Sequence, residues 1–396
     1  MLIVLSRALL VIVAMALPLV GLEAALRMFG PFLPGSYAAS LYLEPHPIYG
    51  FFHVPSTTGW IRTDEYTTRV DINALGLRER SIGYENPAGL RRVLVLGDSL
   101  VEGVQVPEGS LATRKLETLL SGQTGRPNQV INAGVGAWGT AQEYLFLKTE
   151  GPQYRPDWVV LFFYTGNDVT NNGVRIKRNT GELRKPYYDI GPDGSLTALP
   201  YRPRKKSEET LVDQFRRSSL LFDVFDSTVF SPARSASADD DESADRQLRL
   251  YELPVFSSRS SRPWEDAWQV TEGLIRAVQD ESTSLGAAFL LVNVPTKWEV
   301  YPEDWSELRN SYHLPSEGWD LEGPNRRLAA FAATQGIPYL DLRTSLRQAA
   351  SGPRLYFHRD IHWTTEGQAR AGEAVAERLM REESDDPRVP QLGRSD

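Results

Sequence analysis

The chain of 396 residues contains no cysteine. Disulfides, thiolate metal sites and a cysteine nucleophile are therefore excluded. Histidine is scarce: His46, His53, His313, His358 and His362 are the five, and any imidazole chemistry must use one of them. An excess of positive charge is also missing. Lys and Arg number 43 against 51 Asp and Glu, giving a net charge of -8. Nucleic acid is therefore not expected as a partner. No internal repeat is present, and nothing in the sequence indicates a metal or organic cofactor. What is there is ordinary for a globular protein, with 41% hydrophobic and 24% charged residues. The length suits one large α/β domain with insertions, or two smaller ones.

Residues 1–30 stand apart. Arg7 precedes an apolar run from Ala8 to Leu22, followed by Glu23 and Arg27. A positive residue before such a run reads as a membrane anchor or a secretory signal. Ala14-Met15-Ala16 has a small-x-small pattern, but it would leave a very short apolar region before it, so an uncleaved anchor at the extracytoplasmic face is the expectation. Residues 31–91 read as a β-rich lead-in. Thr67–Ile72 has strand character, and Asn73–Arg78 reads as the turn closing it. His46 and His53, within this lead-in, read as structural or surface residues.

From Arg92 onward apolar strands alternate with helical periodicity. Strands are expected at 93–97, 130–135, 158–164, 287–294 and 337–342. Helices are expected from Thr140, with a capping box between Thr140 and Glu143, and over 267–284, 326–334 and 366–380. Such alternation implies a doubly wound parallel sheet with its ligand site at the carboxyl ends of the strands. Residues 172–264 break the pattern and read as an insertion, with a short helix over Leu220–Phe225 and a flexible acidic stretch at Ala236–Ser243. The polar tail, 384–396, reads as disordered.

The stretch Val93-Leu94-Val95-Leu96-Gly97-Asp98-Ser99-Leu100 carries the strongest chemical signal. A serine at a strand-to-helix turn exposes its hydroxyl and offers its own N–H to a developing oxyanion. Asp98 and Ser99 are equally ordinary helix caps. Gly97-Asp98-Ser99-Leu100 resembles the first block of the GDSL, or SGNH, hydrolase family, whose blocks supply Ser, Gly, Asn and His in that order. Candidates for all four occur here in order. The resemblance implies a three-layer, flavodoxin-like α/β fold over 92–383 and a serine ester hydrolase. It places the glycine block on Ala137, flanked by Gly136 and Gly139, where a backbone N–H would serve the oxyanion; a glycine-rich turn of purely geometric importance is the other reading. It places the asparagine block on Gly166-Asn167-Asp168, where a side-chain amide is a fixed neutral donor.

The base falls on His362, within His358-Arg359-Asp360-Ile361-His362-Trp363. A neutral hydroxyl needs an adjacent imidazole, and the imidazole needs an acceptor to fix its tautomer. Asp360 is near enough, because residues i and i+2 of an extended segment share a side. Most of the family spaces this pair as Asp-x-x-His. The Asp-x-His-Trp spacing here resembles that of the alginate O-acetyltransferases. His358 is the rival base. Ser99, Asp360 and His362 are thus the expected catalytic residues, and Ser99, Ala137 and Asn167 the expected oxyanion donors. The expected substrate is an acylated carbohydrate or small ester, with the acyl group released to water by an esterase or passed to a polysaccharide hydroxyl by an O-acyltransferase. The other reading, a non-catalytic carbohydrate-binding or scaffold protein, draws on the nine tryptophans. Trp138 and Trp363 lie beside the site in sequence and would stack on sugar rings or fill the core.

Overall fold

The computed structural model describes residues 2–29, 42–86, 88–124, 127–177, 185–203 and 253–385, together with Phe215, Ser219, Leu221 and Phe222. Helix α1 spans Leu2–Phe29. Its side chains are described only in part, and Leu10, Met15, Leu17 and Val20 are each 65% or more exposed. Among the described residues no helix is long and apolar enough to cross a membrane.

Two hairpins follow. Strands β1 (Leu43–His46) and β2 (Gly50–His53) pair antiparallel, as do β3 (Thr58–Arg62) and β4 (Thr67–Asp71). The expected turn after β4 forms because Asn73 Oδ1 accepts from the N–H groups of Leu75 and Leu77, at 2.9 and 3.0 Å, while Gly76 supplies a positive φ of 74°.

The central sheet contains β5 (Arg91–Gly97), β6 (Asn128–Gly134), β7 (Trp158–Tyr164), β10 (Ala288–Val294) and β11 (Tyr339–Asp341). The small hairpin β8 (Tyr188–Ile190) and β9 (Leu196–Ala198) lies between them in sequence. The sheet is parallel throughout, in the order β11-β10-β7-β5-β6. This is the flavodoxin-like order, whose direction reverses at the first strand. Alternate residues of each strand serve two separate cores. Leu94, Leu96, Val159, Leu161 and Phe163 belong to one, and Val93, Val95, Val160 and Phe162 to the other. Burial on both faces accounts for the unbroken apolar runs.

After β5 the chain makes a single helical turn, α2 (Ser99–Glu102), before α3 (Ala112–Thr124). Gly103, at φ 64°, ends α2 in the left-handed region that stops helices. Helix α4 (Thr140–Tyr154) follows β6. Its cap corrects the expected box. Gly139 caps the helix and receives the Gln142 side chain, with Gly139 N donating to Gln142 Oε1 at 3.2 Å. Thr140 is buried and accepts instead from Asn172 Nδ2 at 3.1 Å. Helix α5 (Asp168–Asn172) follows β7, and α6 (Arg262–Ser284) and α7 (Gly323–Gln335) flank β10. Helices α8 (Leu342–Ala349) and α9 (Thr365–Asp385) complete the fold. Residues 384 and 385, assigned above to the tail, are helical. The acidic stretch at 236–243 and residues 386–396 lie outside the described residues, as does the expected helix over 220–225 apart from Leu221 and Phe222, which are helical.

Candidate active site

The site lies where the sheet order reverses, between the carboxyl ends of β5 and β7. Ser99 opens α2 immediately after β5, and Asn167 precedes α5 immediately after β7. Asp98 holds both turns. Its Oδ1 accepts from Leu100 N at 2.9 Å, capping α2, and its Oδ2 accepts from Asn167 Nδ2 at 2.9 Å. The cap reading of Asp98 is thus correct, and it coexists with a second task. Tying the Asn167 amide down by one N–H leaves its other N–H on a fixed vector.

His362 arrives from the loop between α8 and α9. Its Nε2 lies 2.7 Å from Ser99 Oγ. Its Nδ1 bonds Asp360 Oδ1, which also accepts from His362 N at 3.0 Å. The Asp360 carboxyl is held well below the usual carboxylate range despite its burial, by the imidazole and by hydrogen bonds from His362 and Tyr66. It is therefore a charged acceptor at neutral pH, and it fixes Nδ1 as the protonated nitrogen and Nε2 as the acceptor facing the serine. His358, the rival, is exposed. Its N–H is bonded to Glu65 and its carbonyl accepts from Lys297 Nζ at 2.6 Å, while the serine hydroxyl is taken by His362.

The loop after β6 lies against Ser99. A Cβ built on Gly136 would stand 3.8 Å from the Ser99 Cβ and 2.8 Å from Glu102 Oε2. Gly134 is needed still more sharply, because a Cβ there would meet Glu102 N at 2.3 Å. Ala137 is exposed and adopts φ 62°, a strained conformation for a residue with a side chain. The structure therefore puts Ala137 in the backbone geometry that favours glycine, next to the Ser99 turn. Gly134→Ala is expected to destabilise the protein by about 1–3 kcal/mol through overpacking, read as a lowered midpoint in urea unfolding.

Trp138 and Trp363 are core residues, 0% and 1% exposed. Trp138 stacks with Phe52 and donates to Phe51 O at 3.2 Å, and Trp363 packs against Tyr356 and Phe162. Neither is available for a sugar ring.

Several contacts were not visible in the sequence. His53 is buried, with Nδ1 2.9 Å from Gly76 O and Nε2 2.8 Å from Glu102 Oε1, at the end of the turn that Ser99 opens. The carbonyl can only accept, so Nδ1 donates to it. Arg78, fully buried, donates to the carbonyls of Glu102, Gly103 and Val106 at 2.6–2.7 Å, tying the end of α2 to the lead-in. Behind Asn167, Glu143 and Asp168 are also fully buried. Burial raises both well above the ordinary range, and the neighbouring carboxylates add to the effect. A raised native value means that the folded state binds a proton more tightly than the unfolded one, so its stability contribution is lost as pH rises. Glu143→Gln is expected to reduce the decline in thermal midpoint above pH 4.5, the ordinary value of this group. An unaltered pH–midpoint curve would contradict a protonated Glu143. Among the described residues no group of three or more His, Asp or Glu side chains is arranged to hold a metal ion.

The sheet order and the meeting of Ser99, Asn167, Asp360 and His362 at its switch point are the arrangement expected of the SGNH class. Within that class, residues 256–394 match the family model described as an SGNH hydrolase-like domain, acetyltransferase AlgX. The matched span carries Asp360 and His362 but not Ser99 or Asn167. The chain is 32% identical over 120 residues to the probable alginate O-acetylase AlgJ of Pseudomonas aeruginosa, covering 30% of this chain and 27% of the relative. It is 28% identical over 131 residues to the AlgJ of Pseudomonas putida, covering 32% of each. The chain thus spans about a third of the length of these relatives. The solved structure of TesA aligns with 74% of this chain and 99% of its own, at 14% identity and a TM-score of 0.38.

Proposed function

We propose that this protein is a serine acyl-transfer enzyme acting on O-acyl esters, acetyl esters of a polysaccharide above all. The observation that carries the reading is the chain Asp360–His362–Ser99, with 2.7 Å between Nε2 and Oγ. Ser99 Oγ attacks the acyl carbonyl while His362 takes its proton. The same proton passes to the leaving alkoxide, and an acyl-serine remains. A second hydroxyl then attacks the acyl-serine, again deprotonated by His362, and Ser99 recovers its proton. The N–H groups of Ser99 and Ala137 and the free N–H of Asn167 hold the oxyanion in both halves. That second hydroxyl comes from water in an esterase and from a sugar in a transferase. The similarity to alginate O-acetylases favours the sugar. Residues 1–30 serve as a tether in the cell envelope, a role supported by the apolar run after Arg7 and by the exposure of Leu10, Met15, Leu17 and Val20.

Incubation with a fluorophosphonate is expected to label Ser99. Acetyl transfer from a small donor to an oligosaccharide, faster than acetate release to water, selects the transferase; the reverse selects the esterase. An unlabelled protein that turns over no ester yet binds glycan is the scaffold alternative. Asn167→Ala is expected to retain labelling but lower kcat by about 10²–10³-fold, the usual cost of losing one oxyanion donor. Deleting residues 1–30 is expected to move active protein from the membrane to the soluble fraction on ultracentrifugation; a full-length, unprocessed protein already soluble would refute the tether.

A further inference from the structure

The β3–β4 hairpin grips the loop that carries the base, at a separation of nearly 300 positions in the chain. At its tip, the Glu65 carboxylate accepts from three consecutive backbone N–H groups: His358 at 2.7 Å, Arg359 at 3.0 Å and Asp360 at 2.8 Å. The next residue, Tyr66, donates its hydroxyl to Asp360 Oδ2 at 2.7 Å and packs its ring against Phe357, with centroids 5.0 Å apart. Both oxygens of Asp360 are thereby committed, Oδ1 to the imidazole and Oδ2 to Tyr66.

We propose that Glu65 and Tyr66 are positioning residues for the catalytic base, so that the lead-in hairpin is an integral part of the active site. The proposal rests on the acyl-transfer reading for its kinetic consequences, but its geometry does not. Two residues separate a carboxylate from its imidazole in the more common family spacing, and here only one does. Glu65 satisfies the three consecutive N–H groups of the segment that leads into the Asp360-Ile361-His362 turn. Tyr66 then prevents the carboxylate from rotating away from Nδ1. The ring of Tyr66 is half-buried, and its hydroxyl has burial and the Asp360 charge keeping its proton in place.

The test compares Tyr66→Phe and Glu65→Ala with Thr58→Ala, which removes only the Thr58–Asp71 hydrogen bond at the far end of the hairpin. Tyr66→Phe is expected to lower kcat for a small acetyl ester about tenfold with KM unchanged, as for loss of one hydrogen bond to a charged group. Glu65→Ala is expected to lower it further. The low-field Nδ1 proton resonance of His362, assigned by its loss in His362→Gln, is expected to move in Tyr66→Phe and to stay in place in Thr58→Ala. An unchanged kcat and resonance in Tyr66→Phe would overturn the proposal. So would Thr58→Ala reproducing both effects, since the hairpin would then act only through general stability. If the wild type neither turns over ester nor labels at Ser99, the acyl-transfer reading fails, while the resonance alone still decides whether Tyr66 holds Asp360.

Discussion

Ser99→Ala is expected to abolish ester turnover, by about 10⁶-fold in kcat, and to remove all fluorophosphonate labelling. The size follows from the site's construction. The imidazole Nε2 faces Ser99 Oγ, and removing that oxygen leaves His362 with no nucleophile to activate. No cysteine exists to substitute. Alanine is tolerated structurally, because the cap on α2 comes from Asp98 rather than from Ser99. The thermal midpoint should stay near that of the wild type. Retained turnover at a percent or more of the wild-type rate would show that the acyl group is never carried by Ser99.

Asp360→Asn is expected to lower kcat by about 10⁴-fold while leaving the fold intact. The carboxylate accepts from the His362 ring, from its backbone N–H and from Tyr66, and every one of these partners donates. An amide can keep its oxygen toward only one side. If the oxygen stays on Tyr66, the NH₂ faces Nδ1 and selects the tautomer in which Nδ1 is the acceptor and Nε2 is protonated. That form cannot take the serine proton. If it turns to His362, the NH₂ confronts the tyrosine hydroxyl, and the charge that stabilises the imidazolium is still lost. Steady-state kinetics with circular dichroism as the folding control checks the outcome. A loss below tenfold would mean that the carboxylate neither sets the tautomer nor supplies needed charge.

These two predictions also mark the division between what is local and what is not. The strand β5 and the serine turn were legible because four apolar residues ending in Gly-Asp-Ser form a pattern over eight positions. Strand β7 followed by Gly166-Asn167-Asp168, and Asp360 with His362 two residues on, are local in the same way. Each depends on periodicity or spacing within a few residues, and burial on both faces of a parallel sheet leaves an unmistakable apolar run. The helix ends were less legible. The cap of α4 shifted by one residue because Thr140 found a better partner in Asn172, 32 positions away.

By itself, then, the sequence determined the five strands of the parallel sheet, the absence of thiol chemistry, and a serine, an asparagine and two histidines as candidates for one site. Tertiary structure alone decided which of two nearby histidines meets the serine. It turned His358 outward and sent Trp138 and Trp363 into the core, where side chains of that size fill the space between sheet and helices. It joined Asp98 to Asn167 and brought Glu65 and Tyr66 onto the catalytic loop. The physical reason is common to all of these. Hydrogen bonds and packing between segments depend on distance in space, and residues 294 positions apart, as Tyr66 and Asp360 are, carry no trace of each other in their local sequence.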